Sequence, residues 1–399
     1  MPNAAGMPPL IVRMVRGEAW IFDSSRRLVS PPDPAPYDPC WCFSGKKFKW
    51  CHQKRHEPTD RPLIVDLLRR WNEQPTLKHC YHPTAPVGCG KIIRAHSVQR
   101  RKNGLALIAE RGKVYGVGLH PSFFLKRGMR MEPALVGIHD ASTFYGFCES
   151  HDSVLFRELE ATAFEGTPRQ LLLLNFRAIT RRLYSTQAGL DINVLDGLDQ
   201  GLPPGLQRWE FADLEDMRTS ARESEKNLLM IKSINDAALT MATHEINGAV
   251  VRLSGRPEIA ISALLDLPRD FHGQVLPRVP PPAHLSFHII PTATGAVSAL
   301  VWVGRNVSAE QLAHTLFALQ PDVVPDVMLN VAIASRDLVF YSPQWWDSLG
   351  AATTSMIVDR ATEFVRPNGR RDFDVGDRAL RVSRLALADM TPVGDWSGR

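Results

Sequence analysis

The fold is decided by two neighbouring apolar runs, His284-Leu285-Ser286-Phe287-His288-Ile289-Ile290 and Ala296-Val297-Ser298-Ala299-Leu300-Val301-Trp302-Val303. Similar runs at residues 248–253 and 259–264 precede them, and Pro and Gly residues punctuate the series. Short apolar runs bounded in this way are typical of β-strands. The spacing therefore predicts an antiparallel meander. A helix is predicted next, because Ser308-Ala309-Glu310-Gln311 has the pattern of a capping box.

Toward the N-terminus the apolar residues change to helical spacing. Residues 148–188 and 208–243 both have this pattern, which predicts long helices. We therefore expect an α+β fold with small zinc-stabilised N-terminal units, a helical middle segment and a C-terminal α+β domain with an antiparallel sheet. The predicted boundaries are 1–36 for an arm and a Pro-rich connector, 166–205 for the helical connector and 206–399 for the C-terminal domain.

Composition sets broad limits on the class of protein. A chain of 399 residues with 44% hydrophobic residues is long enough for two or three domains. Its formal charge of +5 is only mildly basic and says little about partners. The N-terminus lacks the pattern of a secretion signal, and no apolar run is long enough to span a membrane. We therefore expect a cytoplasmic protein.

All six cysteines lie in the first half of the chain, at positions 40, 42, 51, 80, 89 and 148. Histidines stand beside several of them, and no secretion signal favours disulfides, so metal coordination is the better interpretation. The cysteines and nearby histidines predict two structural Zn²⁺ sites.

The first predicted site joins a C-x-C pair, Cys40 and Cys42, to the adjacent pair Cys51 and His52. Four donors within thirteen residues are what a closed tetrahedral zinc site needs. The spacing, together with the Ser-Gly-Lys-Lys-Phe-Lys centre, resembles the SEC-C zinc motif, named from the C-terminal tail of the SecA translocation ATPase. This resemblance covers residues 37–60, with Phe43 where the family usually has glycine. It implies a surface that docks a protein, membrane or nucleic-acid partner.

The aromatic and basic residues in this segment have two interpretations. Lysines and an arginine surround several aromatic residues, a mixture suited to base stacking and phosphate contact. Alternatively the aromatic residues pack around the zinc and the basic residues are only solvated. The residues concerned are Trp41, Phe48 and Trp50, with Lys46, Lys47, Lys49, Lys54 and Arg55.

The second predicted site combines Cys80, Cys89, Cys148 and His151, with His82 as an alternative fourth ligand. Between the pairs, residues 90–98 have a β-branched strand pattern that includes His96. The order of two cysteines, a strand with a histidine and a helix with Cys-x-x-His resembles a zinc-bearing HNH (His-Me finger) nuclease unit. The resemblance covers about residues 76–160 and places a domain at 61–165.

The HNH resemblance implies a catalytic site. A strand histidine of that family activates water against a phosphate, and nearby ligands hold a divalent ion, here Mg²⁺ or Mn²⁺. His96 has the position of that base, and Asp152 follows the zinc histidine where the family often has a metal ligand. However, Ala95 replaces a usual ligand, and residues 141–147 lack the expected Asn. A non-catalytic treble-clef finger is therefore the other interpretation.

Nucleic acid is the partner that the local charge favours. Lys91, Arg94, Arg100, Arg101 and Lys102 form a run without an acidic residue. Two hypotheses follow. The first is an HNH-like endonuclease, for which the resemblance suggests bacterial phage defence. The second is a zinc adaptor without catalytic activity that binds nucleic acid, ribosomes or a protein partner through its SEC-C and treble-clef fingers.

Overall fold

A computed structural model gives the architecture of most of the chain. It describes residues 12–15, 18–21, 33–42, 44–53, 76–100, 104–117, 133–190, 204–241, 245–265, 267–277, 284–335, 339–362 and 380–398. Residues 62–72, where a proline followed by apolar residues at helical spacing predicts a short helix, lie outside these ranges.

Contacts between residues divide the chain into two compact units. The first comprises Met1–Leu77, Ser185–Lys226 and Val365–Pro367. The second comprises Lys78–Tyr184, Asn227–Phe364 and Asn368–Arg399. The five segments predicted from the sequence stay a prediction; they are 1–36, 37–60, 61–165, 166–205 and 206–399. In the first unit, strands β1 (Val12–Val15) and β2 (Glu18–Ile21) form an antiparallel pair, and a short 3-10 turn spans Phe48–Trp50.

The other elements follow a mixed α and β order, as an α+β chain should. Short strands and helices come first, two long helices follow, and most of the sheet comes last. They are β3 (Ile92–His96), α1 (Leu105–Ile108), β4 (Lys113–Val117), β5 (Pro133–Gly137), β6 (Thr143–Cys148), α2 (Glu149–Leu155), α3 (Arg157–Ala161), α4 (Pro168–Leu190), α5 (Pro204–Met241), β7 (Ile246–Ser254), β8 (Ile259–Leu265), β9 (Leu285–Thr292), β10 (Gly295–Val303), α6 (Val307–Phe317), α7 (Val324–Ala334), β11 (Val339–Tyr341), α8 (Pro343–Ser348), α9 (Gly350–Thr362) and β12 (Ala386–Val393).

Within the described residues, eight strands form one antiparallel sheet in the order β12-β7-β10-β9-β8-β11-β4-β5. The predicted α+β class with an antiparallel sheet is confirmed. Strands β3 and β6 form a separate antiparallel pair, and residues 97–142 between them supply β4 and β5 to the large sheet. A segment from the zinc-ligand region therefore continues the sheet built by the C-terminal strands.

The predicted meander is only partly correct. Strands β8, β9 and β10 are successive neighbours, but β7 pairs with β10 and not with β8. The β7–β8 connection crosses the end of the β9–β10 hairpin, where the Gly255 N–H donates to the Thr294 carbonyl (3.1 Å). Apolar strand patterns show which segments are strands but not which strands are neighbours, so this order could not be read from the spacing.

The large sheet is covered on both faces, which explains why its strands are apolar without alternation. One face packs against α6 to α9 through residues such as Phe287 and Leu300. On the opposite face, Val250, Ile290 and Val301 pack with residues of α4, α5 and the β3–β6 pair. Trp345 and Trp346 belong to the first of these cores, so the paired tryptophans are buried core residues.

The N-cap of helix α6 lies two residues before Ser308, the N-cap predicted from the sequence. Its N-cap is Asn306, whose side-chain oxygen accepts the Ala309 N–H (3.0 Å), while Glu310 accepts the Asn306 N–H (3.3 Å). The Ser308 hydroxyl instead donates to the Pro277 carbonyl. Asn is as good an N-cap as Ser, so local sequence alone did not distinguish the two starts.

Gly248 in β7 provides a test of this packing. A Cβ there would lie 2.8 Å from the Leu300 carbonyl oxygen of β10. We expect Gly248→Ala to lower the free energy of unfolding by about 1–3 kcal/mol, because the crowded strand must move. Gly137→Ala in β5 is the matched control, since its Cβ would be 3.9 Å from the nearest side-chain atom. Urea denaturation measures both, and equal values for the two variants would contradict the packing.

His288 is a fully buried histidine in the middle of β9. Its Nδ1 lies 3.0 Å from the Ser262 hydroxyl and its Nε2 2.8 Å from the Ser286 hydroxyl. Burial lowers the pKa of His288 to about 3. The folded protein therefore keeps this ring neutral at pH values where the unfolded chain would protonate it.

This difference predicts acid sensitivity. Above the unfolded pKa of about 6.5, His288 causes no pH dependence. As the pH falls below that value toward 3, only the unfolded state binds the proton, so stability is lost by about 1.4 kcal/mol per pH unit. Urea unfolding from pH 7 to about pH 4 should show a shallower decline for His288→Gln than for the wild type. Parallel curves would show that His288 titrates normally in the folded state.

Candidate metal centres and the surfaces around them

The first cluster is a compact knuckle made by residues 40–52. Gly45, with φ of +74°, occupies the turn that reverses the chain, and the Cys40 N–H donates to the Lys46 carbonyl (2.8 Å). The 3-10 turn then brings Cys51 and His52 back toward the first pair. Phe48 is buried beside Cys40 and Cys42 and forms the small core of the knuckle.

The four donor atoms of this cluster have the spacing of a tetrahedral site. His52 Nδ1 lies 3.3 Å from Cys40 Sγ and 3.2 Å from Cys51 Sγ, and Cys42 Sγ lies 3.5 Å from Cys51 Sγ. Bond lengths of about 2.3 Å to sulfur and 2.0 Å to nitrogen place neighbouring ligands roughly 3.5–3.8 Å apart. Cys40, Cys42, Cys51 and His52 therefore fit one zinc ion.

The second cluster is built from a turn, an antiparallel strand pair and a helix. Cys80 and Cys89 lie on the turn, and Cys148 ends β6 as the N-cap of α2. His151 lies in the first turn of α2, where its Nδ1 is 3.4 Å from Cys80 Sγ and 3.6 Å from Cys89 Sγ. All four donor atoms lie within 4.8 Å of one another, so this set also fits zinc.

His82 is close to this site but does not belong to the donor group. Its ring stacks on the His151 ring at 3.9 Å with an interplanar angle of 6°. The His82 Nδ1 faces the Thr84 hydroxyl (2.9 Å) and accepts the Thr84 N–H (3.2 Å). The structure therefore groups His151, and not His82, with the three cysteines, and the His82 ring packs on the His151 ring.

Cys148 has an environment that favours the thiolate required for zinc coordination. Burial by itself raises the pKa of this thiol, but a hydrogen bond with the Ser150 hydroxyl and hydrogen bonds from the backbone N–H groups of His151 and Gly90 lower it to about 6. Cys148 is fully buried and packs in the core that covers one face of the large sheet. Its site is thus continuous with the hydrophobic core of the second unit.

The two residues predicted to be catalytic occupy different environments. His96 ends β3, and its Nε2 lies 3.3 Å from the Ile138 carbonyl. Burial lowers the pKa of His96 and so favours the neutral ring. Asp152 lies on α2, and burial raises the pKa of its carboxyl group. Its Oδ1 is buried and has no hydrogen-bond partner among the described residues.

Arg177 on α4 is a neighbour that the sequence did not reveal. It is completely buried, its guanidinium lies 3.8 Å above the Phe156 ring, and its Nη2 contacts Glu160 (3.1 Å). Its positive charge acts on both His96 and Asp152. Arg177 reaches this position only because α4 packs against the residues around the second cluster. No local sequence motif could therefore have indicated it.

A catalytic metal ion at Asp152 would need further donors, for which the sequence offers His139, Asp140 and His120. His139 Nδ1 lies 2.7 Å from Arg100, and Asp140 forms an ion pair with Arg94 (2.8 Å). His120 lies outside the described residues. In the part of the chain that the structure describes, the two Cys/His clusters are the only groups of three or more potential ligands close enough to hold an ion. These residues therefore do not fit a bound Mg²⁺ or Mn²⁺.

The predicted nucleic-acid residues fall into two groups. Arg94 and Arg100 have the partners just described, while Arg101 and Lys102 lie outside the described residues. Lys47 and Lys49 lie over exposed aromatic rings of the first cluster: Lys49 Nζ is 3.8 Å from the Tyr37 ring centre and 4.4 Å from the Trp50 ring centre. Lys46 is also exposed. Tyr37 was not among the residues predicted to bind nucleic acid, although its position three residues before Cys40 could have suggested it.

Comparison with protein-family models, curated proteins and solved structures gives no significant match. The resemblances to the SEC-C motif and the HNH unit therefore rest on the motif residues alone. Among the described helices, none has the length and apolar character needed to cross a membrane.

The two histidines of the second cluster give a matched test of its ligand set. We expect the purified chain to contain two zinc ions, and His151→Ala to lose one because three donors hold the metal less tightly. His82→Ala should retain both, since its ring lies outside the donor group. Inductively coupled plasma mass spectrometry counts the metal. Loss of zinc from His82→Ala but not from His151→Ala would reverse the assignment.

Proposed function

We propose that this chain is a zinc-stabilised protein that binds single-stranded nucleic acid through the surface formed by Tyr37, Lys49 and Trp50. The observation that carries the proposal is the exposure of two aromatic rings on either side of a lysine. Tyr37 is 64% exposed and Trp50 is 67% exposed. Aromatic rings exposed beside cations are suited to stacking on unpaired bases while the cations contact phosphate.

The other aromatic residues of the knuckle have structural roles, which makes this exposure informative. Phe48 fills the core of the knuckle, and the Trp41 ring packs 4.2 Å from the His52 ring. The knuckle thus buries the aromatic residues that support the donors. Tyr37 and Trp50 are not needed for that purpose, and exposing large aromatic rings to water has a cost that a ligand would remove.

The charge of this segment also favours a nucleic acid over an acidic protein. Lys46, Lys47, Lys49, Lys54 and Arg55 occur within ten residues without an acidic residue. Such a row of cations attracts a polyanion and releases its counterions. Zinc would contribute indirectly, because the ligands Cys51 and His52 directly follow Trp50 and fix the backbone that carries it.

An HNH-like nuclease is a second candidate, and the position of His96 favours it. This histidine ends a strand that pairs with the strand leading into the zinc-ligand helix, and its lowered pKa leaves a neutral base at pH 7. No ligand set for a catalytic ion accompanies it in the described residues. The role in phage defence remains a prediction from the resemblance.

The proposal predicts loss of binding when the surface is changed. Trp50→Ala and Lys49→Ala should each weaken binding of a labelled single-stranded oligonucleotide, by about 1–3 kcal/mol for the stacked ring. The affinity should also fall as salt rises. Lys113→Ala, at an exposed lysine of the second unit, is the control. Fluorescence anisotropy with DNA and RNA measures these affinities, and unchanged affinity in Trp50→Ala would refute the proposed surface.

The same samples can separate the two candidates. Plasmid DNA and structured RNA are incubated with wild type and His96→Ala in Mg²⁺ or Mn²⁺, and zinc is counted in each sample. Cleavage that His96→Ala abolishes with zinc retained would support the nuclease. Binding without cleavage would support the adaptor without catalytic activity.

A further inference from the structure

A small cavity lies at one end of the large sheet, far along the chain from the metal ligands. Its volume is about 220 Å³. Three segments meet there: the β7–β8 connection, the start of α8 and the segment before β12. The side chains that line it include Arg256, Glu258, Ser342, Gln344, Trp345 and Arg384.

Hydrogen bonds around Glu258 hold the three segments together. The buried carboxylate of Glu258 accepts the Arg384 N–H and the Ser383 hydroxyl (3.0 Å). The Glu258 carbonyl accepts the Ser342 N–H (2.8 Å). Trp345 is fixed in the wall, where its indole N–H donates to the Val382 carbonyl (3.3 Å). The cavity is therefore built by residues with defined partners, so its shape is set before a ligand arrives.

The charge in this cavity is positive. Arg256 and Arg384 are both exposed, and the Arg384 guanidinium donates to the Ser348 hydroxyl (2.6 Å). Glu258 is the only acidic residue among the lining residues, and burial raises its pKa to about 7. The charged residues of the lining are thus two arginines and one carboxyl group that is partly neutral near pH 7.

We propose that this cavity binds the phosphate group of a small phosphomonoester. Two guanidinium groups match the charge of a phosphate dianion, and each can offer paired N–H donors to its oxygens. A ligand with a single carboxylate would neutralise only one of the two guanidinium groups. Ser342 and Glu258 offer polar contacts to the ester side of the ligand. The volume is below the roughly 300 Å³ at which drug-sized sites begin, so the ligand is a small metabolite. This inference does not depend on the proposed nucleic-acid surface.

Isothermal titration calorimetry of the full chain with inorganic phosphate and with glycerol phosphate tests the proposal. Wild type should bind both probes. Arg256→Gln and Arg384→Gln should each weaken binding at least about tenfold, since each removes one charged fork. Arg305→Gln is the control, because Arg305 is an exposed arginine of the same unit that does not line the cavity. Glu258→Gln should keep or increase the affinity, because it removes a negative charge beside the anion.

Three results would overturn the inference: no heat of binding with either phosphate probe, equal weakening in Arg305→Gln, or acetate binding as tightly as phosphate. If the arginine variants fail to fold, the wild type is treated with phenylglyoxal, and the modified arginines are mapped by mass spectrometry. Phosphate should then protect Arg256 and Arg384 but not Arg305. Equal modification with and without phosphate would also overturn it.

Discussion

Burial of the large sheet on both faces is the constraint on which the second unit depends. Its central strands are continuous apolar segments, so each face needs a cover. Helices α6 to α9 cover one face, and α4, the C-terminal part of α5 and the β3–β6 pair cover the other. Because Cys80 and Cys148 lie in that second core, the metal ligands and the sheet share one hydrophobic cluster.

This arrangement would give a metal ion held by the second Cys/His cluster a structural role in the unit as a whole. A bound ion would join the turn at Cys80 and Cys89 to the start of α2, and α2 leads into α3 and then into α4 on the sheet. Helices α4 and α5 are further fixed by a buried side-chain hydrogen bond between Asn175 and Asn235 (2.8 Å). Removal of the metal should therefore loosen more than the finger itself. The first cluster differs, because its core comprises little more than Phe48 and the ligands.

The buried Arg177 also bears on whether the region around the second cluster is catalytic. A buried arginine whose Nε and Nη1 lack partners in the described residues is a costly arrangement for stability alone. Its positive charge also acts on Asp152 and lowers the pKa of that carboxyl group, although the larger effect of burial raises it. The geometry therefore supports binding more than catalysis. Binding would use the exposed aromatic and basic surface of the first cluster, and catalysis would use His96.

The sequence by itself determined the first Cys/His set, the three cysteines of the second set, the α+β class and the position of most strands and helices. Cys and His at short spacings and apolar runs of strand length are local signals, so Cys40 to His52 and residues 284–303 needed no tertiary information. The structure alone decided that β7 pairs with β10, that β4 and β5 join the large sheet, that His151 rather than His82 is grouped with the three cysteines, and that Arg177 is buried against Phe156 and Glu160. Each of these depends on contacts between residues distant in the chain. Such contacts depend on which helices and strands cover each face of the sheet, and a short stretch of sequence does not specify this.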